Sequence, residues 1–257
     1  MIYNYHTHTH RCGHASGAEE EYIEAAIKNG IKYMGFSDHM PLKFADGSES
    51  GYRVPTAEGK IYCEQIKALS KKYKGKIDIK VGFEMEYYPE LFDEMLKKAI
   101  EYGAEYLILG QHFIMPENLA AKDTFRATNS VDELKKYTKA VLSAIEKNIF
   151  TYVAHPDVFN YVGDVGIYQK EMRKICVASR ENNVPLELNF LGIRQHRVYP
   201  NDAFWQIAGE EKSPVTFGFD AHEVSSAFDG ESLLKAKQIV EKYNLNYIGI
   251  PKLRLIK

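Results

Sequence analysis

The stretch MIYNYHTHTHRCGHASG (1–17) runs a strand-like segment, residues 2–6, directly into histidines at 6, 8, 10 and 14. His6 and His8 are two apart, so in extended backbone their side chains leave the same face and can converge on one ion. Working outward, the chain repeats this layout. Strand-like runs at 31–37, 77–83, 106–109, 151–154 and 215–219 end beside Asp38 and His39, Glu84 and Glu86, His112, His155, and Asp220 with His222. A further run lies at 185–188, and an eighth, at 245–250, is a candidate to close the chain.

Between these runs the apolar spacing predicts helices over 19–28, 56–73, 89–102, 130–147, 168–182 and 231–243, with a shorter one after Asn201. Gly30, Gly75 and Gly103 stop the first three, and Ser130 and Glu133 stand at capping-box spacing. Strand followed by helix, repeated about seven times, points to a parallel barrel or a doubly wound sheet. No Pro/Gly/Ser-rich linker divides the 257 residues, so one domain spanning 1–257 is expected. The longest irregular stretches, 40–55 and 113–129, are candidates for active-site loops.

Lysine plus arginine is 33 and aspartate plus glutamate 35, a formal charge of −2, which argues against a nucleic-acid coat. No run of eighteen apolar residues offers a membrane span. Residues 1–10 have neither a basic nor an apolar leader pattern, so the cytoplasm is the expected address. Cys12, Cys63 and Cys176 lack CxxC spacing and read as reduced thiols, Cys12 as a small packed residue among histidines.

In a parallel barrel chemistry collects at the carboxyl ends of the strands, and six of those ends carry His, Asp or Glu. A lone histidine there reads as a structural residue. Nine together, His6, His8, His14, His39, Glu84, His112, His155, Asp220 and His222, exceed what one ion needs, so more than one divalent metal is expected. Imidazole and carboxylate without cysteine suits zinc, manganese or iron.

These residues resemble the PHP (polymerase and histidinol phosphatase) metal-dependent phosphoesterases, and within them the histidinol-phosphate phosphatase branch. The resemblance lies in HTHTHRCGHASG (6–17), GFSDHMP (35–41), GFEMEYYPE (82–90), GQHF (110–113), AHPD (154–157), ELNFLGIR (187–194) and GFDAH (218–222), in order along nearly the whole chain. It implies an α/β fold, a distorted seven-stranded (β/α) TIM-like barrel. It also implies two or three divalent ions: one on His6, His8, Glu84 and Asp220, a second on Glu84, His112 and His155, and a third on His14, His39 and His222. Such a centre hydrolyses a phosphate monoester with a metal-activated hydroxide. Glu84, Asp220 and His222 become the catalytic candidates, with Asp220 or a nearby histidine supplying the leaving alkoxide's proton.

Arg194 matches a family arginine expected to bind phosphate, with Arg197 and Arg126 as further candidates. For a substrate such as L-histidinol phosphate, Glu86 would take the ammonium and Phe113 or Tyr87 the ring. His10 is a candidate substrate contact, and His196 is left without a role. Phe190 and Leu191 depart from the family, which commonly has small polar residues before the glycine.

Three other readings compete. The same metal site could serve another small ester, such as a nucleotide or sugar phosphate. An amidohydrolase-type barrel also starts with HxH and ends with Asp, but the set His14, His39 and His222 asks for an extra ion. A non-catalytic PHP module is disfavoured by the intact ligand set. No GxxxxGK[ST], GxGxxG after a strand, HExxH or GxSxG is present.

Overall fold

A parallel sheet covered by helices needs strands buried on both faces, and the four strands from residue 106 to residue 218 are buried throughout. The computed structural model describes residues 1–119 and 122–257. Its strands are β1 (Tyr3–Asn4), β2 (Tyr33–His39), β3 (Asp78–Met85), β4 (Tyr106–Leu109), β5 (Phe150–Val153), β6 (Leu186–Asn189), β7 (Pro214–Gly218) and β8 (Asn246–Tyr247). The helices are α1 (Glu19–Lys28), α2 (Gly59–Lys72), α3 (Phe92–Tyr102), α4 (Val131–Glu146), α5 (Val165–Asn182), α6 (Phe190–Gln195), α7 (Asp202–Glu211) and α8 (Gly230–Tyr243).

All the strand pairs are parallel and follow chain order, so every strand delivers its carboxyl end to the same side. The expectation of seven strands is corrected to eight, because the closing run forms a short exposed strand beside the start of β7. The sheet curls until the continuation of β1 meets that of β7 at one parallel bridge, Thr7–Ala221. There the His8 N–H donates to Ala221 O (2.9 Å) and the Ala221 N–H to His6 O (3.2 Å). Below the bridge, side chains stand in for the ladder: the Phe219 N–H donates to Asn4 Oδ1 (3.0 Å) and the Phe217 N–H to the Tyr3 hydroxyl (3.2 Å).

Alternation along β4 sorts the core. Tyr106 and Ile108 join Tyr3, Tyr5, Tyr152 and Ala154 inside the curl, while Leu107 and Leu109 face the helices. Burying a side chain of this size contributes roughly 1.5–3 kcal/mol. A truncation such as Phe83→Ala would cost about 3–5 kcal/mol, because close-packed neighbours relax only partly.

Helix ends follow local caps. Ser130 accepts from the Glu133 N–H (3.2 Å) at the start of α4. Asp164 accepts from the Ile167 N–H (2.9 Å) and starts α5 earlier than apolar spacing predicts. The spacing does not predict α6, which Asn189 initiates by accepting from the Leu191 and Gly192 N–H groups (2.9 and 3.3 Å). The two long irregular stretches lie over the site and carry short bridges of their own, Lys43–Glu49 and Phe113–Asp123; residues 120–121 of the second lie outside the described residues. No helix among the described residues is long and apolar enough to cross a membrane.

Candidate metal centre and its cavity

Ligand-type side chains from six strand ends close around two carboxylates. Glu84 Oε2 lies 3.2 Å from His39 Nδ1, 3.4 Å from His8 Nε2 and 3.5 Å from His6 Nε2. Its other oxygen, Oε1, lies 2.9 Å from His155 Nε2 and 3.4 Å from His112 Nε2. Asp220 Oδ1 faces His8 Nε2 (3.3 Å), His222 Nδ1 (3.3 Å) and His6 Nε2 (3.5 Å). Outside this inner group, His14, His39 and His222 bring three ring nitrogens together.

The residues present fit divalent cations. His6 Nε2, His8 Nε2, His39 Nδ1, Glu84 Oε2 and Asp220 Oδ1 are buried with no hydrogen-bond partner among the described residues. A buried polar atom left unpaired costs about 1–3 kcal/mol, and imidazole nitrogens facing carboxylate oxygens form the hard and borderline donor set that such ions take.

The inner imidazoles are oriented from behind by further carboxylates, which set ring orientation and basicity. Glu187 Oε1 holds His6 Nδ1 (2.8 Å), Glu86 Oε1 holds His112 Nδ1 (2.9 Å), and Asp38 Oδ1 lies 3.4 Å from His8 Nδ1. Glu187 Oε2 in turn accepts from the His155 N–H (3.1 Å) and Asn189 Nδ2 (2.7 Å). Two glycines make room for this layer: a Cβ at Gly110 would overlap Glu84, and one at Gly218 would overlap Glu187. In the outer group, His14 Nδ1 meets Cys12 O (2.8 Å) and His222 Nδ1 meets Asp220 O (3.2 Å).

Burial opposes charge on Glu84 and Asp220, yet the surrounding imidazoles hold both carboxyls well below their usual range. Burial likewise opposes a proton on His6, but Glu187, Asp220 and Glu84 raise its pKa well above normal. His39 is pushed well below its usual value by burial and by His8, and His222 down to about 3 by burial and by His8. Both are in the neutral form that offers a lone pair to a cation.

The cluster floors a cavity of about 520 Å³ whose walls include Tyr52, Phe113, Phe125, Leu191, Arg197 and Tyr199. Arg197 lies over the Phe125 ring, 5.5 Å from its centroid, with Nε donating to Gln195 Oε1 (2.9 Å). Glu223 is the lining carboxylate outside the cluster.

Of the substrate contacts expected from the sequence, Phe113 and Arg197 line the cavity and Arg194, Glu86, His10, Tyr87 and Arg126 do not. Arg194 is turned into the scaffold, where Asp229 Oδ2 and the carbonyls of Phe219 and Asp220 take its N–H groups. Glu86 is fully buried, engaged by Arg53 Nη2 (2.8 Å) as well as His112, so its position corrects the expectation of an open ammonium acceptor. His10 is exposed on a one-turn 3-10 helix, His10–Cys12. Tyr87 packs on Phe92, and Arg126 pairs with Glu133 on the surface. Glu187 has no role in the expectations from the sequence; a carboxylate inside an otherwise apolar strand is the signal that marks it.

Comparison with known proteins places this geometry in context. The chain is 27% identical over 253 residues to a histidinol-phosphatase of Bacillus subtilis (strain 168), covering 85% of this chain and 92% of that one. It is 24% identical over 252 residues to a protein named probable phosphatase of Thermoanaerobacter sp. (strain X514), covering 96% and 90%. In fold it is similar to the histidinol phosphate phosphatase of Lactococcus lactis subsp. lactis Il1403, solved as a complex with zinc, L-histidinol and phosphate. That similarity has a TM-score of 0.71 at 18% identity and covers 100% of this chain and 99% of that one. The PHP domain matches residues 4–190. That span takes in the carboxyl ends of β1 to β5, and the chain belongs to the PHP domain family.

Proposed function

We propose that this chain, acting as one domain over 1–257, is a metal-dependent phosphomonoesterase that hydrolyses L-histidinol phosphate to L-histidinol and phosphate in histidine biosynthesis. The observation that carries the reading is the set of unpartnered buried ligand atoms on the floor of a cavity that also presents one guanidinium and flat aromatic walls. The curated relatives support the substrate: histidinol-phosphatase of Bacillus subtilis and probable histidinol-phosphatase of Deinococcus radiodurans both align over 85% of this chain.

His6, His8, Glu84 and Asp220 would hold one divalent ion, zinc, manganese or iron. Glu84 would also serve a second with His112 and His155, and His14, His39 and His222 would hold a third. Bound there, such ions supply Lewis acidity and an activated water for attack on phosphorus. Arg197 takes the phosphoryl oxygens in place of Arg194, since its guanidinium reaches the cavity. Asp220 and His222 stand at the cavity wall, but the one is held ionised and the other neutral, so the proton for the leaving alkoxide comes from solvent water at the open side of the cavity. Tyr52 and Phe113, with centroids 5.7 Å apart, offer a wall for an imidazole ring, and Glu223 replaces Glu86 as the acceptor for the ammonium.

The test compares kcat/KM for histidinol phosphate with that for a nucleoside monophosphate and an aryl phosphate. The expected preference is several-fold, because a competitor without the amine forgoes an ion pair with Glu223, an exposed carboxylate that water solvates when it is unpaired. Equal turnover of either competitor overturns the substrate assignment. It would favour the second reading, a PHP phosphoesterase for another small ester, to which the burial of Glu86 and the relatives named only as probable phosphatases already point.

A further inference from the structure

Arg194 occupies the position where a phosphate ligand is expected, yet every one of its contacts lies in the scaffold behind the cluster. Nη1 donates to Asp229 Oδ2 (2.9 Å), and both terminal nitrogens approach Phe219 O (3.3 Å). Nη2 also donates to Asp220 O (3.1 Å). Asp229 is itself fixed, because its other oxygen caps α8 by accepting from the Ser232 N–H (2.9 Å).

The carbonyls that Arg194 grips belong to a constrained piece of backbone. Asp220 has φ +47°, a left-handed conformation that residues other than glycine seldom adopt and that surrounding contacts must enforce. Its carboxylate faces His6 and His8 in the inner group. Its carbonyl meets the ring of His222 in the outer group. One guanidinium therefore fixes the peptide from which a ligand of each group departs. A planar fork can span two successive carbonyls and a carboxylate at once, which an ammonium cannot.

We propose that Arg194 is a positioning residue for the metal centre, holding the Asp220–His222 turn so that both side chains point at their ions, and that it is not a phosphate ligand. The inference rests on the metal reading given above.

The experiment uses the full chain and reads metal binding without substrate. Zinc affinity is measured by competition with a chelator of known affinity, and the visible spectrum of the cobalt-loaded protein reports ligand geometry. Arg194→Gln is expected to weaken zinc binding roughly 10–100-fold, the range for groups that orient ligands, and to shift the cobalt bands. At saturating metal its KM should stay within about twofold of wild type, since no phosphate contact is lost. Arg194→Lys, which can keep the Asp229 contact, should recover part of the affinity. Arg197→Gln should show the reverse pattern, with KM raised and zinc affinity unchanged.

Wild-type zinc affinity and an unshifted cobalt spectrum in Arg194→Gln would overturn the proposal. Should that variant fail to fold, Asp229→Asn keeps the cap and the arginine but removes the charge that anchors it. Weakened zinc binding there supports the proposal, and unchanged affinity and spectrum overturn it. A wild-type chain that binds no zinc overturns both readings, whereas one that binds zinc but hydrolyses no phosphomonoester overturns only the proposed function.

Discussion

The inner and outer halves of the ligand cluster are built differently. Of the inner residues, His6, His8, Glu84, His155 and Asp220 are buried, and His6, His8 and His112 each have a carboxylate behind the ring. In the outer half His39 is buried beside the Glu84 carboxylate and His222 is half-buried with both the carbonyl and the carboxylate of Asp220 at Nδ1, whereas His14 is exposed and backed only by the carbonyl of Cys12. A carboxylate raises the basicity of the imidazole in front of it and locks the ring more firmly than a carbonyl does. The same residue type thus grades from rigid, strongly donating inner rings to the exposed, carbonyl-backed His14, and the inner and outer groups should differ in metal affinity and exchange rate through His14.

The hardest blow to this contrast is Glu84→Gln, which removes the one side chain with an oxygen toward each inner set. We expect kcat/KM to fall on the order of 10³-fold or more together with loss of bound metal; near-normal activity at full metal content would erase the inner half as described. Next in size, Glu187→Gln should lower inner-site metal affinity about 10–100-fold while leaving the ligands themselves in place, read by the same chelator competition in a protein of unchanged fold by circular dichroism.

Stepwise chelation separates the halves more gently. Under a graded chelator the wild type should release metal in two phases, and His14→Ala should delete the early phase alone; simultaneous release would show that burial and carboxylate backing do not set the order. The smallest effect is a control far from both halves: Ser130→Ala should lower unfolding free energy by about 1 kcal/mol through loss of the α4 cap, with metal content untouched.

The strands and the gathering of histidines and carboxylates at their carboxyl ends were legible because apolar runs and strand-end chemistry leave a local imprint in sequence. Orientation across space was not. Arg194 and Arg197 are three apart, and nothing in ELNFLGIR marks α6 as a helix that ends at Gln195 with His196 left-handed, φ +52°. That reversal separates Arg197, which reaches the cavity, from Arg194, which remains in the scaffold. Glu86 misled for a related reason. Its partner Arg53 comes from the loop after β2, and a tertiary ion pair leaves no periodic signal. The eighth strand was foreseen only as a closing run, because two exposed residues cannot show an alternation.

The single bridge between Thr7 and Ala221 also bears on how the protein comes into being. His6, His8 and His14 leave the ribosome early, Asp220 and His222 late, so no inner cluster can assemble until most of the polypeptide has been synthesised. Until then the first strand has no partner on its β7 side, and its histidines are free to scavenge stray cations singly. Once the two ends meet, ions shared between them would act as a clasp on a loop of over two hundred residues, whose closure entropy grows only logarithmically with length. Metal supply during synthesis would then govern the yield of native protein as well as its activity.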